Sequence, residues 1–97
     1  MRKYNKNTIE QFFKAILSLE NIEECHSFFD DACTIQEIEA ISQRFDVACK
    51  LAEGKNYQEV NKLTGVSTAT ITRVNKCLNY GDGGYNLAIK RMKEKNN

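Results

Sequence analysis

The chain has 97 residues, 41% apolar and 28% charged, with 14 lysines and arginines against 13 acids, one His, no Pro and no Trp. That length and balance fit one small globular domain rather than a disordered tail or a large multi-site enzyme. No uninterrupted apolar run exceeds three residues, so neither a membrane span nor a secretory leader is expected, and the chain reads as cytoplasmic.

Helical signals run along the whole sequence. Asn7 and Thr8, followed by Glu10 and Gln11, read as a capped start, and Ile9, Phe12, Phe13, Ile16 and Leu17 then form a wide apolar stripe. A second stripe, Ile22, Cys25, Phe28, Phe29 and Ala32, breaks near Cys33. Thr34-Ile35-Gln36-Glu37 is a capping box that opens the longest helix. This helix carries Ile38, Ile41, Phe45, Ala48 and Ala52 inward and stops at Gly54. Two shorter helical segments follow, separated by Gly65-Val66-Ser67. The glycines around Asp82 then interrupt the chain as a hinge, before a last helix at about 85–94 with Tyr85, Ala88, Ile89 and Met92 on one side. No period-two stretch of strand formers occurs. The expected fold class is all-α.

The expected organisation is one domain over 1–97, with core helices at about 7–54, a helix-turn-helix at about 57–79 and the terminal helix beyond. The pairs Phe12-Phe13 and Phe28-Phe29 widen the early stripes past a single contact face. A small domain gains missing core by pairing, so a homodimer is expected.

Cys25, Cys33, Cys49 and Cys77 contain no C-x-x-C pair, and the one histidine, His26, adjoins Cys25. Neither a disulfide framework nor a tetrahedral metal site is expected from that spacing, and these thiols read as small hydrophobes on helix faces. No nucleophile, base and orienting group fall into a catalytic pattern, so no enzyme activity is expected.

Charge is segregated along the chain. Residues 20–53 carry nine acids against only Arg44 and Lys50, while the flanking stretches are net basic. A protein that meets a polyanion has this distribution. So does a set of solvated helix faces.

Residues 57–76 have the physics of a helix-turn-helix. Val60 and Leu63 supply the inner face of a short helix, Gly65 a left-handed turn, Val66 a plug and Ser67 a cap. The second helix turns Ile71, Val74 and Leu78 inward and Thr68, Ala69, Thr72, Arg73 and Lys76 outward. It carries no carboxylate. Small hydroxyls and methyls near the start of such a helix can reach base edges, while cations further along meet phosphates. Double-stranded DNA is therefore the expected partner, with Gln58, Asn61, Lys62, Ser67, Thr68, Ala69, Thr70, Thr72, Arg73 and Lys76 as candidate contacts. The other reading of the segment is a packing unit in a dimeric interaction module.

Ala69-Thr70-Ile71-Thr72-Arg73 after Gly65, with Ala40-Ile41-Ser42-Gln43-Arg44 upstream, resembles the tryptophan repressor family, in its compact YerC/YecD-type branch. The resemblance implies an intertwined all-helical homodimer whose two reading heads enter successive major grooves, about 34 Å apart. It also implies a corepressor, tryptophan, wedged between core and head. Carried onto this chain, Arg44 and Arg73 match the two arginines flanking that ligand, and Thr34 matches a threonine near the pocket. Cys77 stands where the family has a serine that helps hold the amino acid, and Val74 where it has a glycine after the second arginine. One residue is missing from the loop after Gly54. Thr34, Arg44, Arg73 and Cys77 are thus the candidate effector residues, with Val74 and Cys77 weighing against tryptophan. The alternative for both arginines is ion pairing with Glu37, Asp46 or Glu53.

Overall fold

A computed structural model describes residues 5–95, in which six α-helices and no strands occur. Contacts divide the chain into two compact units at Ile38/Glu39, within the third helix.

The first unit holds α1 (Lys6–Leu17), α2 (Ile22–Ala32) and the first turn of α3 (Ile35–Ala52). Each start is set by a side chain that satisfies orphan backbone donors. The cap of α1 is Asn5 rather than Asn7 or Thr8: its Oδ1 accepts from Thr8 N at 3.2 Å, which makes Thr8 the third helical residue. Asn21 caps α2 by accepting from Glu24 N at 2.8 Å, and Glu24 reaches back to the N–H of Glu20 at 2.9 Å. Thr34 and Glu37 form the expected box, with Thr34 N donating to Glu37 Oε1 at 2.8 Å and Glu37 N to Thr34 Oγ1 at 3.1 Å.

Neither α1 nor α2 contains a buried residue. Their apolar chemistry gathers in four rings: Phe12 stacks on Phe28 at 5.8 Å between centroids, and Phe28 meets Phe29 edge-on at 5.3 Å. Phe13 remains half exposed beside Phe12, and Leu17, Ile22 and Ile35 are 84%, 71% and 71% exposed. Among its described residues this unit has an aromatic contact but no buried side chain.

The second unit has a buried core. It comprises the rest of α3, α4 (Tyr57–Thr64), α5 (Thr68–Tyr80) and α6 (Gly84–Lys95). Val47 and Ala48 of α3, Val60 of α4, Val66 of the turn, Ile71 and Val74 of α5 and Ile89 of α6 are buried together. Phe45, Cys49, Leu51, Tyr57, Leu78 and Tyr85 surround them. The inward face of α3 differs from the sequence expectation, since Val47 is fully buried while Ile41 is half exposed and Ala52 exposed. In α4 the buried side runs Tyr57, Val60 and Thr64, spaced i, i+3 and i+7, which turns Leu63 out to solvent, 59% exposed. On α6, Tyr85 and Ile89 face in, whereas Ala88 and Met92 are exposed.

Gly54, at φ 93°, ends α3, and Lys55 N donates back to Lys50 O at 3.1 Å. Asn86 Nδ2 donates to Leu78 O at 2.9 Å, tying the start of α6 to the end of α5 across the glycine-rich hinge.

Ile71→Ala should lower unfolding stability by about 2–5 kcal/mol in urea titrations, the usual range for emptying a fully buried aliphatic site. Acidification offers a second check. Glu37 is held below the usual carboxylate range, chiefly by the Thr34 backbone hydrogen bond and then by the Thr34 side chain. A lowered folded pKa stabilises above the ordinary carboxylate value and is lost as pH falls through the lowered one. Protection factors at Thr34 and Glu37, corrected for intrinsic exchange, should therefore fall as acid protonates the Glu37 carboxylate, and Glu37→Gln should flatten that dependence.

Candidate nucleic-acid interface

The segment from Asn56 to Tyr80 is fixed by a chain of local hydrogen bonds. Asn56 and Glu59 form a reciprocal capping box at the start of α4, with bonds of 3.0 and 2.9 Å. At its end Gly65 takes the left-handed conformation, φ 72° and ψ 4°, and its N–H donates to Asn61 O at 2.8 Å. Thr64 Oγ1 donates to Val60 O at 2.7 Å and accepts from Val66 N at 3.1 Å. Asn61 Nδ2 crosses the turn to Val66 O at 2.8 Å. Ser67 then caps α5, accepting from Thr70 N at 3.3 Å while its hydroxyl donates to Thr70 Oγ1 at 3.1 Å. Between these bonds Val66 points into the core. The turn is thus plugged by an apolar side chain and stitched on both sides by polar ones.

This geometry sorts the candidate residues. Thr68, Ala69, Thr72, Arg73 and Lys76 are all exposed on α5. Ser67 and Thr70 bond to each other, and Thr70 is half-buried, so both serve the cap. Gln58 and Lys62 are exposed on α4, whereas the Asn61 amide braces the turn. Thr64 was not singled out by its sequence context, yet its hydroxyl closes the last turn of α4. A threonine whose hydroxyl can reach the carbonyl four residues back is the signal that could have found it.

Arg44 is half-buried and Arg73 exposed. The ion pairs among the described residues are Lys50 with Asp46, at 2.7 Å, and Lys55 with Glu53, at 3.5 Å. Ion pairing of the arginines with Asp46 or Glu53 does not occur within the second unit. Asp46 faces Lys50 one turn along α3, Glu53 faces Lys55, and Glu37 is held by its capping box. Lys50 is correspondingly held above the usual lysine value, chiefly by its hydrogen bond to Asp46. Among the described residues no cluster of three or more His, Cys, Asp or Glu could hold a metal, and no helix is long and apolar enough to cross a membrane.

The family model described as Trp repressor protein matches residues 7–93. This chain belongs to the Trp repressor family. It is 50% identical over 92 residues to the protein YerC of Bacillus subtilis, covering 95% of this chain and 88% of that one. The solved structure of a TrpR-like protein from Eubacterium eligens superposes with a TM-score of 0.86 at 49% identity, covering 90% of both chains. A candidate Trp repressor from Staphylococcus aureus also gives 0.86, at 44% identity, over 90% of this chain and 87% of that one.

Three positions of this Trp repressor family member bear on the expected amino-acid corepressor. Val74 is 1% exposed and packed in the core, where the family pattern has a glycine beside the ligand. Cys77, half-buried, offers a thiol in place of a hydroxyl and is a weak hydrogen-bond partner. In the first unit, the Thr34 hydroxyl already serves the α3 capping box. Cys49, on α3, is held above the usual thiol range by burial first and by Asp46 and Glu53 next, and stays protonated near neutral pH.

A β-carbon at Gly65 would meet open space, so Gly65→Ala strains only the backbone. It should lower stability by about 1–2 kcal/mol, and Gly65→Asn by less, read from denaturant midpoints.

Proposed function

We propose that this protein is a sequence-specific, DNA-binding transcriptional regulator acting as a homodimer, with α5 as its reading helix. The observation that carries the proposal is the composition of the exposed α5 face: Thr68, Ala69, Thr72, Arg73 and Lys76, with no carboxylate on the helix. Membership of the Trp repressor family supports it.

In this reading, Thr68, Ala69 and Thr72 meet base edges in the major groove through hydroxyls, methyls and bridging water. Arg73 and Lys76 meet phosphates, and Gln58 and Lys62 approach the backbone from α4. Ser67, Thr70 and Asn61 hold the helix start in place. The N-terminal amides of α5 add partial positive charge toward the duplex.

Pairing follows from the first unit. Helices of 12 and 11 residues that bury nothing in one chain are too short to persist alone, and their exposed Leu17 and Ile22, with Ile35 at the start of α3, are an unmet apolar face. A second copy supplies the cover. Two heads related by a two-fold axis then read a palindromic operator, and regulation proceeds by occlusion of a promoter or by recruitment to it.

The test is anisotropy against fragments enriched from genomic DNA, at several salt concentrations, with sedimentation to read the oligomeric state. The expected result is a dimer that prefers particular fragments and loses affinity linearly on a log–log salt plot. Arg73→Ala should weaken every fragment and make the salt slope shallower by about one unit, whereas Thr72→Ala should change which fragments are preferred. Equal binding to all DNA would replace the regulator reading with that of a helical interaction module.

A further inference from the structure

The core of the second unit is built almost entirely from β-branched residues. Val47, Val60, Val66, Ile71, Val74 and Ile89 share it with the small Ala48. In a helix a β-branched side chain has essentially one rotamer, so this seam is stiff before anything binds. Val74 is 1% exposed and follows Arg73 directly, placing a fixed apolar wedge on the inner side of the reading helix. The turn before it is held by the Asn61–Val66 and Thr64–Val66 bonds, and the helix start by Ser67 and Thr70. Both ends of the first two turns of α5 are therefore anchored by the chain's own groups.

We infer that Val74 takes the place of a small-molecule corepressor, so that the reading head is held in its DNA-competent setting without any amino-acid effector. The inference rests on the DNA-binding reading above, and it concerns regulation of that site. The family pattern has a glycine at this position beside the ligand, and here the space on the inner side of α5 is filled by a valine side chain. The head then has one packing rather than two, and a ligand with no second state to select shifts nothing.

Two measurements separate this inference from the reading on which it rests. The first uses the DNA-free protein. Because the chain has no Trp, all indole emission in a titration comes from added L-tryptophan. The expected result is no saturable emission change into the millimolar range, and saturable binding overturns the inference whatever the DNA result. The second measures affinity for the preferred genomic fragment with and without L-tryptophan and a pool of the other amino acids. A family-type effector would change affinity by about 5- to 150-fold, and no change is expected here. An effector requirement overturns the inference while leaving the regulator reading intact.

Val74→Ala tests the wedge itself. With helix content retained, it should weaken DNA binding several-fold and quicken amide exchange in α5. A folded Val74→Ala variant with unchanged DNA affinity overturns the positioning role. Should that variant fail to fold, the wild-type titrations decide the matter unaided.

Discussion

The placement of α5 depends on one packed seam of stiff side chains. Four valines and two isoleucines from α3, α4, α5, α6 and the intervening turn enclose one another around Ala48. Burial of such groups contributes roughly 1.5–3 kcal/mol apiece, and little rotamer freedom is lost in return, because β-branching has already removed most of it. A longer, unbranched core would bury similar area and leave the helices freer to slide. Here the angle between α4 and α5 is set by shapes that cannot adjust. Gly65 allows the sharp turn, and Val66 keeps it from collapsing.

The two units solve the problem of small size differently. The second gathers short helices around an enclosed interior, and its polar groups satisfy each other locally, as at Asn56 with Glu59 and Thr64 with Val66. The first exposes its apolar side and orders itself by capping and by stacked phenylalanines. That division is what the proposed function draws on, with the first unit available for pairing and the second for reading.

Much of this was legible in the sequence because it is local chemistry. The Thr34–Glu37 box, the left-handed Gly65, the Val66 plug and the Ser67 cap each follow from residue type and spacing within five positions. The misses have equally local causes. Two asparagines near the start of α1 both offer a capping oxygen, and Asn5 takes the role. From Val60 the next inner position of an eight-residue helix is i+3 or i+4; Tyr57 on the other side decides for Thr64, which leaves Leu63 outside. The pairing of acids with lysines rather than arginines was less legible. It depends on which cation lies one turn away along a helix or across a loop, and not on net charge.

The separation of the outward from the inward side of α5 has a consequence for how such a regulator changes over generations. Thr68, Ala69 and Thr72 touch nothing in the interior. Replacing surface residues of this kind typically alters stability by less than about 0.5 kcal/mol. Under the proposed function, operator preference would therefore drift by single substitutions while the scaffold stays intact. Duplicated copies of such a regulator would then acquire new target sites without passing through an unfolded ancestor.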